Sequence, residues 1–343
     1  MDRGIVLSAP GRFGPEELEL DEPGPGEVLV RIEASGVCHS DLHIVEHDGW
    51  GHRLPVLLGH EGAGIVEAVG DGVSTVEPGQ RVVLGWRPPC GECRWCTRGD
   101  PRRCRTPARA RRRVRVAGGE ALTGALQMGT FATRTVVHER AAVRVPDELP
   151  AEQACLIGCA VATGVMSALE TGKVWEGAHV AVIGCGAVGL SVIQGCRIAG
   201  AEEIRAVDLD ERKLEAARRL GATDVGEGEG LDFVFDVVGL AATVESGLAM
   251  LGHAGTLVYV GLPRPGQIAQ VGLEQLFGKR ATIRVSHGGD HLPAEDFPRL
   301  AGWALDGRLD LAAMVSRVIG LDDVPEAFEE MKRGDVIRSV VRP

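Results

Sequence analysis

A chain of 343 residues has room for two domains, and its 44% apolar and 25% charged residues are the composition of a globular protein. No unbroken run of about 18 apolar residues is present to span a membrane, and the N-terminus shows no secretory segment, so the expected location is cytoplasmic. A formal charge of −11 excludes general affinity for nucleic acid or for an anionic membrane surface.

The first 35 residues read as short strands and turns, with Val28–Ala34 extended after the breaker-rich Glu22–Gly26. Next comes Gly36-Val37-Cys38-His39-Ser40-Asp41-Leu42-His43, followed by Gly59-His60-Glu61-Gly62. Cys38 and His60 are good zinc ligands, and a further thiol stands at Cys155 and at Cys159. Three such ligands leave a tetrahedral ion one open position, as a catalytic site requires. Spacing alone does not choose between the two later cysteines. Gly62–Gly70 and Val76–Leu84 repeat the pattern of strands between glycine turns, which predicts a small barrel-like β domain.

The chain has nine cysteines, an odd number unevenly spaced, which points to metal or catalysis in preference to a disulfide framework. Cys90, Cys93, Cys96 and Cys104 fall in fifteen residues and can close a tetrahedron around a second zinc, with no position left for substrate. Such an ion would hold a lobe, about 88–106, that has too little apolar content to hold itself. Nine arginines crowd residues 98–115 and read as a solvated loop with acidic partners. Phe131–Val137 continues the strands, and a mostly helical passage begins at Ala151.

From about 178 the texture becomes α/β. Ala178–Ile183 is a buried-type strand, Gly184-Cys185-Gly186-Ala187-Val188-Gly189 a glycine turn, and Leu190 onward a helix. Ile204–Val207 is the next strand and ends at Asp208, 19 residues beyond Gly189. In this context the G-x-G-x-x-G spacing is a dinucleotide signature. A carboxylate at Asp208 accepts hydrogen bonds from ribose hydroxyls and repels a 2′-phosphate, so NAD is favoured over NADP, with Arg212 and Lys213 close by. Asp208 could instead cap the helix predicted over Glu211–Leu220. Asp232–Val238, Thr256–Val260 and Ala281–Val285 read as strands, with Val237, Val260 and Leu262 at carboxyl ends where doubly wound sheets bind ligands. The fold expected is a doubly wound parallel-sheet (Rossmann) coenzyme domain beside a mainly β catalytic domain to which the tail returns.

With these motifs in this order, the chain resembles the zinc-dependent alcohol dehydrogenases of the medium-chain dehydrogenase/reductase superfamily. The resemblance implies a GroES-like catalytic domain over 1–160 and 287–343 and an NAD-binding domain over 161–286. It implies Cys38, His60 and Cys159 as catalytic zinc ligands, with Glu61 approaching the metal transiently and Asp41 orienting the histidine. It implies a structural zinc on the four-cysteine lobe, making two ions per chain. Ser40 would take the alcohol proton and His43 relay it. Thr163, Val188 and Val260 would pack on the nicotinamide, and Arg338 would contact the pyrophosphate. Small alcohols and aldehydes are the implied substrates, and a homodimer or homotetramer the implied assembly. Within the superfamily the chain is most similar to the branch with mycothiol-dependent formaldehyde dehydrogenase, through Val82–Arg87, Gly129–Ala132 and Leu292–Pro298. Two departures stand out: His39 where relatives carry arginine, and an unusual segment at 105–127. A mycothiol-adduct oxidoreductase and a non-catalytic NAD- and zinc-binding protein are the alternatives.

Overall fold

The structure, a computed structural model, describes residues 1–343 apart from 48, 264 and 265. It falls into two compact units, residues 1–159 with 292–343 and residues 160–291.

The first unit is built on two sheets. Strands β1 (Asp2–Ala9), β2 (Arg12–Leu20), β3 (Glu27–Gly36), β4 (Val56–Leu57), β5 (Glu61–Val69), β6 (Arg81–Leu84), β7 (Val114–Val116), β8 (Thr123–Gly124), β9 (Arg134–His138) and β10 (Ala142–Arg144) follow one another in sequence. One sheet runs β7-β2-β1-β4-β8. The other runs β10-β6-β5-β3 and is extended by two strands from the far end of the chain, β18 (Ser339–Val341) and β17 (Arg317–Ile319), while β9 also pairs with β3. Val340 and Val341 lie opposite Gly36 and Ser35, so the tail does return to the first unit. Alternating apolar residues of β3, β5 and β6 build one core around Val28, Val30, Val66 and Leu84. A second core joins Ile5, Ile44, Leu58 and Phe131 to Val324 and Phe328 of the 324–333 helix.

The second unit holds six parallel strands in the order β13-β12-β11-β14-β15-β16. These are β11 (His179–Ile183), β12 (Glu203–Val207), β13 (Asp224–Val225), β14 (Leu231–Asp236), β15 (Leu251–Tyr259) and β16 (Thr282–Val285). Helices Ala187–Ile198, Glu211–Leu220 and Ala241–Met250 connect the first strands. The central strands are apolar through their buried stretches Val180–Ile183 and Phe233–Phe235, as burial on both faces demands.

One expectation shifts. Val76–Gln80 is a turn, and only Arg81–Leu84 of that stretch is strand, because Pro78 and Gly79 interrupt the pairing. The helical passage Ala151–Gly172 is 22 residues long and mostly apolar. In the structure it is mostly buried in protein, as for a core helix rich in Ala, Gly and Val.

Candidate active site

Cys38 leaves the end of β3 and starts the helix His39–Glu46 in an extended conformation, so its side chain lies at the helix entrance. His60 follows β4 and is fully buried. Gly59 before it has φ +88°, and a Cβ there would lie 2.3 Å from the Phe131 backbone nitrogen, so only glycine lets the chain turn the histidine inward. Asp41, in the first turn of that helix, accepts from the Gly59 amide and from His60 Nδ1, each at 3.0 Å. A carboxylate only accepts, so Nδ1 carries the proton and Nε2 is left as a lone-pair donor.

Nε2 of His60 is buried without a hydrogen-bond partner. One ligand atom each from Cys38, His60, Glu61 and Cys159 lies within 4.8 Å of the others. The orphaned nitrogen and the pair of thiols fit zinc, a borderline-soft ion that takes sulfur and imidazole together. The groups of the cluster also shift one another's charge. A hydrogen bond from Cys159 draws the Cys38 thiol well down, and the same bond pushes Cys159 well up. Burial opposes a charge on His60, yet Asp41 and Cys38 raise it well above the usual range. Burial lifts Glu61 to about 8, against the nearby Arg338 guanidinium.

Cys159 reaches the cluster from a wide π-type turn, Ile157–Val161, inside the long helical passage. Such insertions re-aim side chains and recur at functional sites. Cys155, the rival ligand by spacing, is buried, and its thiol donates to the Glu152 carbonyl at 3.4 Å. It is not a member of the four-residue group. Arg338 is only 4% exposed. Its guanidinium pairs with Glu61 at 3.3 Å and donates to the Val37 carbonyl at 2.6 Å. Ser40 and His43 stand three residues apart on the His39–Glu46 helix, both half-buried, and the His43 ring lies 5.8 Å from that of Trp50.

The second cysteine group is also assembled. Sγ–Sγ distances are 3.6 Å for Cys93–Cys96 and Cys90–Cys104, 3.9 Å for Cys93–Cys104 and 4.0 Å for Cys90–Cys96. Four sulfurs about 2.3 Å from a central zinc would be separated by about 3.8 Å. The Thr106 hydroxyl and the Glu92 and Cys93 amides point at Cys90 and draw its thiol down to about 6. The neighbouring arginines are partly neutralised, as a solvated loop with acidic partners predicts: Arg113 pairs with Glu27 at 2.7 Å, and Arg115 with Asp21.

In the second unit the glycine turn joins β11 to the helix Ala187–Ile198. Gly184 has φ +93°, and a Cβ on Gly189 would lie 1.8 Å from the Gly184 carbonyl oxygen. Nothing stands within 4 Å of a Cβ built on Gly186, which leaves the helix N-terminus open to a pyrophosphate at Ala187 and Val188. Asp208 accepts from the Cys185 amide at 2.7 Å and from the Asp210 amide at 3.0 Å. The cap of the next helix is Asp210, not Asp208, and it also holds the Arg212 side chain. Lys213 is half-buried beside them. Val237, Val260 and Leu262 follow the carboxyl ends of β14 and β15, and Thr163 lies on the helix Ala162–Met166.

One residue that the sequence did not single out is Asp236. It is fully buried and accepts from the Val238 and Gly239 amides at 3.0 and 3.1 Å, fixing the loop after β14. The signal was an acid closing the apolar run Phe233-Val234-Phe235.

Residues 24–147 match the alcohol dehydrogenase GroES-like domain family, and residues 187–306 match the zinc-binding dehydrogenase family. The chain is 35% identical to the NDMA-dependent alcohol dehydrogenase of Amycolatopsis methanolica, over 99% of this chain and 98% of that one. Among solved structures it is similar to an alcohol dehydrogenase zinc-binding domain protein from Burkholderia ambifaria, with TM-score 0.94 and 33% identity over 99% of this chain and 98% of that one. It is also similar to benzyl alcohol dehydrogenase from Acinetobacter calcoaceticus, with TM-score 0.92 and 28% identity over 100% of this chain and 99% of that one.

Proposed function

The chain belongs to the zinc-dependent alcohol dehydrogenases of the medium-chain dehydrogenase/reductase superfamily, and from that premise we propose which of its residues carry the reaction. The enzyme is an alcohol or aldehyde oxidoreductase that uses zinc and a nicotinamide cofactor. The single observation that carries the site assignment is the meeting of Cys38, His60 and Cys159, with Asp41 behind the imidazole.

Zinc held by those three residues supplies a Lewis acid that makes an alcohol proton easier to lose or a carbonyl easier to reduce. The hydroxyl of Ser40 accepts the proton and His43 passes it toward solvent. Asp41 keeps His60 in the tautomer that frees Nε2 for the ion. Glu61, held by Arg338, is the carboxylate placed to approach the metal. Cys90, Cys93, Cys96 and Cys104 hold a second, structural zinc. The glycine turn at Gly184, Gly186, Ala187 and Gly189 receives the pyrophosphate. Thr163, Val188, Val237, Val260 and Leu262 border the nicotinamide, and Arg338 also serves the pyrophosphate.

NAD is the preferred dinucleotide in this reading. Asp208 presents a carboxylate at the end of β12, and Arg212 is committed to Asp210 in place of a 2′-phosphate. Lys213 is the remaining nearby cation. The functional assembly is a homodimer or a multiple of one. Its support is β16, an edge strand whose four residues are all exposed, next to Phe277 at 89% exposure. The cytoplasm is the working location.

The test is NAD reduction at 340 nm with a panel of primary, secondary and benzylic alcohols, together with zinc analysis. Active protein should hold about two zinc per chain. Cys38→Ser should lose turnover and about one ion while keeping its melting transition. Full turnover in Cys38→Ser would end the assignment. The finer placement beside mycothiol-dependent formaldehyde dehydrogenase rests on three short segments. It requires formaldehyde oxidation to depend on mycothiol, and it fails if mycothiol makes no difference.

A further inference from the structure

We infer that Asp236 is a positioning residue for the nicotinamide end of the cofactor, a role that rests on the reading of Val237, Val260 and Leu262 as the nicotinamide border. Asp236 is the last residue of β14 to pair on both sides, opposite Ile183 of β11 and Tyr259 of β15. Beyond it the parallel ladder ends, and the amides of the outgoing chain need new acceptors. Its carboxylate Oδ1 accepts from the Val238 and Gly239 amides at 3.0 and 3.1 Å. Its main-chain carbonyl accepts from the Val260 and Gly261 amides at 2.8 and 3.0 Å. The side chain therefore holds the loop after β14, and the main chain holds the loop after β15.

Those loops also meet backbone to backbone. Gly239 has φ +83°, and a Cβ there would lie 2.8 Å from the Leu262 carbonyl oxygen. A Cβ on Gly261 would lie 2.4 Å from the Gly239 nitrogen. Only glycine fits at either place, so a shift of one loop is passed directly to the other. Asp236 is fully buried and offers no atom to a ligand, but the groups it places are open. Val237 and Val260 are half-buried, and Leu262 is 46% exposed.

The glycine turn has anchors of its own. The Gly184 amide donates to the Val207 carbonyl at 2.8 Å, and the Cys185 amide to Asp208 at 2.7 Å. Removing the Asp236 side chain leaves the buried Gly239 amide without its acceptor and leaves those bonds in place. The nicotinamide end of the site should move, and the pyrophosphate end should stay.

Fluorescence titration of the zinc-loaded enzyme with NADH, beside calorimetric titration with ADP-ribose, which lacks the nicotinamide ring, tests this without need of turnover. Asp236→Ala should weaken NADH by about tenfold or more, the cost of one buried amide left unpaired, and should bind ADP-ribose as the parent does. Gly239→Ala leaves the carboxylate in place, disturbs the same loop and should show the same selective loss, so it carries the test if Asp236→Ala does not fold. Asp236→Asn keeps a side-chain acceptor and should recover most of the NADH affinity. An equal loss for both ligands marks a merely structural residue and overturns the positioning role. Unchanged NADH affinity in folded Asp236→Ala, or no recovery in Asp236→Asn, overturns it as well, with the nicotinamide border left standing. A parent that binds NADH no more tightly than ADP-ribose would instead remove the border itself, and the role with it.

Discussion

Asp41 shows how one side chain can set a metal centre that it does not ligate. Its carboxylate takes both the Gly59 amide and His60 Nδ1, so it fixes the turn and the tautomer together. Asp41→Ala should lower kcat/KM by about 10–100-fold and release zinc to a mild chelator that leaves the parent loaded. Unchanged zinc retention would deny the orienting role. Asp208 is likewise doubly engaged. Because it holds the Cys185 amide, Asp208→Gly should raise the ratio of NADP to NAD efficiency while lowering the efficiency with NAD. An unchanged ratio would mean that the carboxylate is not at the ribose. At this scale much of the site was legible in the sequence, since Cys38, His60 and the four clustered cysteines announce their chemistry by type and spacing. Cys155 and Cys159 were not separable that way, because four residues along an ideal helix share a face. The π-type turn at Ile157–Val161 breaks that equivalence, and nothing in a run of Ile, Gly, Cys, Ala and Val signals it.

Elements were read best where one periodicity ruled. The helix Glu211–Leu220 carries its own cap and charged face and matches the expected span. The two central parallel strands, with their apolar runs Val180–Ile183 and Phe233–Phe235, were equally plain. The segment after the zinc lobe was opaque because its order comes from elsewhere in the chain. Glu27, at the start of β3, accepts from the Gly24 and Arg111 amides and from Arg113, and so clamps the arginine segment to the first unit. Burial pushes its carboxyl up, but those donors outweigh burial and hold it below the ordinary value of 4.5. Its stabilisation is therefore complete above that value and is lost as the pH falls through the depressed folded one. Glu27→Gln should cost about 1–3 kcal/mol at neutral pH. Melting curves should converge with those of the parent on acidification. A difference that persists unchanged at low pH would show that charge is not the cause.

As a whole the molecule is discontinuous in sequence, with the first unit completed only by residues 292–343. The tail was expected to return because it resumes short strands after the α/β alternation ends. What a single sequence does not display is which surface stays bare. Thr282–Val285 is exposed along its length, with Val285 at 67%, and would be an aggregation hazard unless paired. Val285→Lys should shift the protein toward monomer in light scattering, and an unchanged mass would place the interface elsewhere. The lobe at Cys90–Cys104 has a different vulnerability. Its thiols sit 3.6–4.0 Å apart, so whatever strips an ion from them leaves sulfurs already in position to join as disulfides, with dissolved dioxygen taking up the two electrons and two protons of each bond. Ageing of a stored sample would then begin in this lobe as a covalent and self-sealing change, and metal returned afterwards would find no free thiols to occupy.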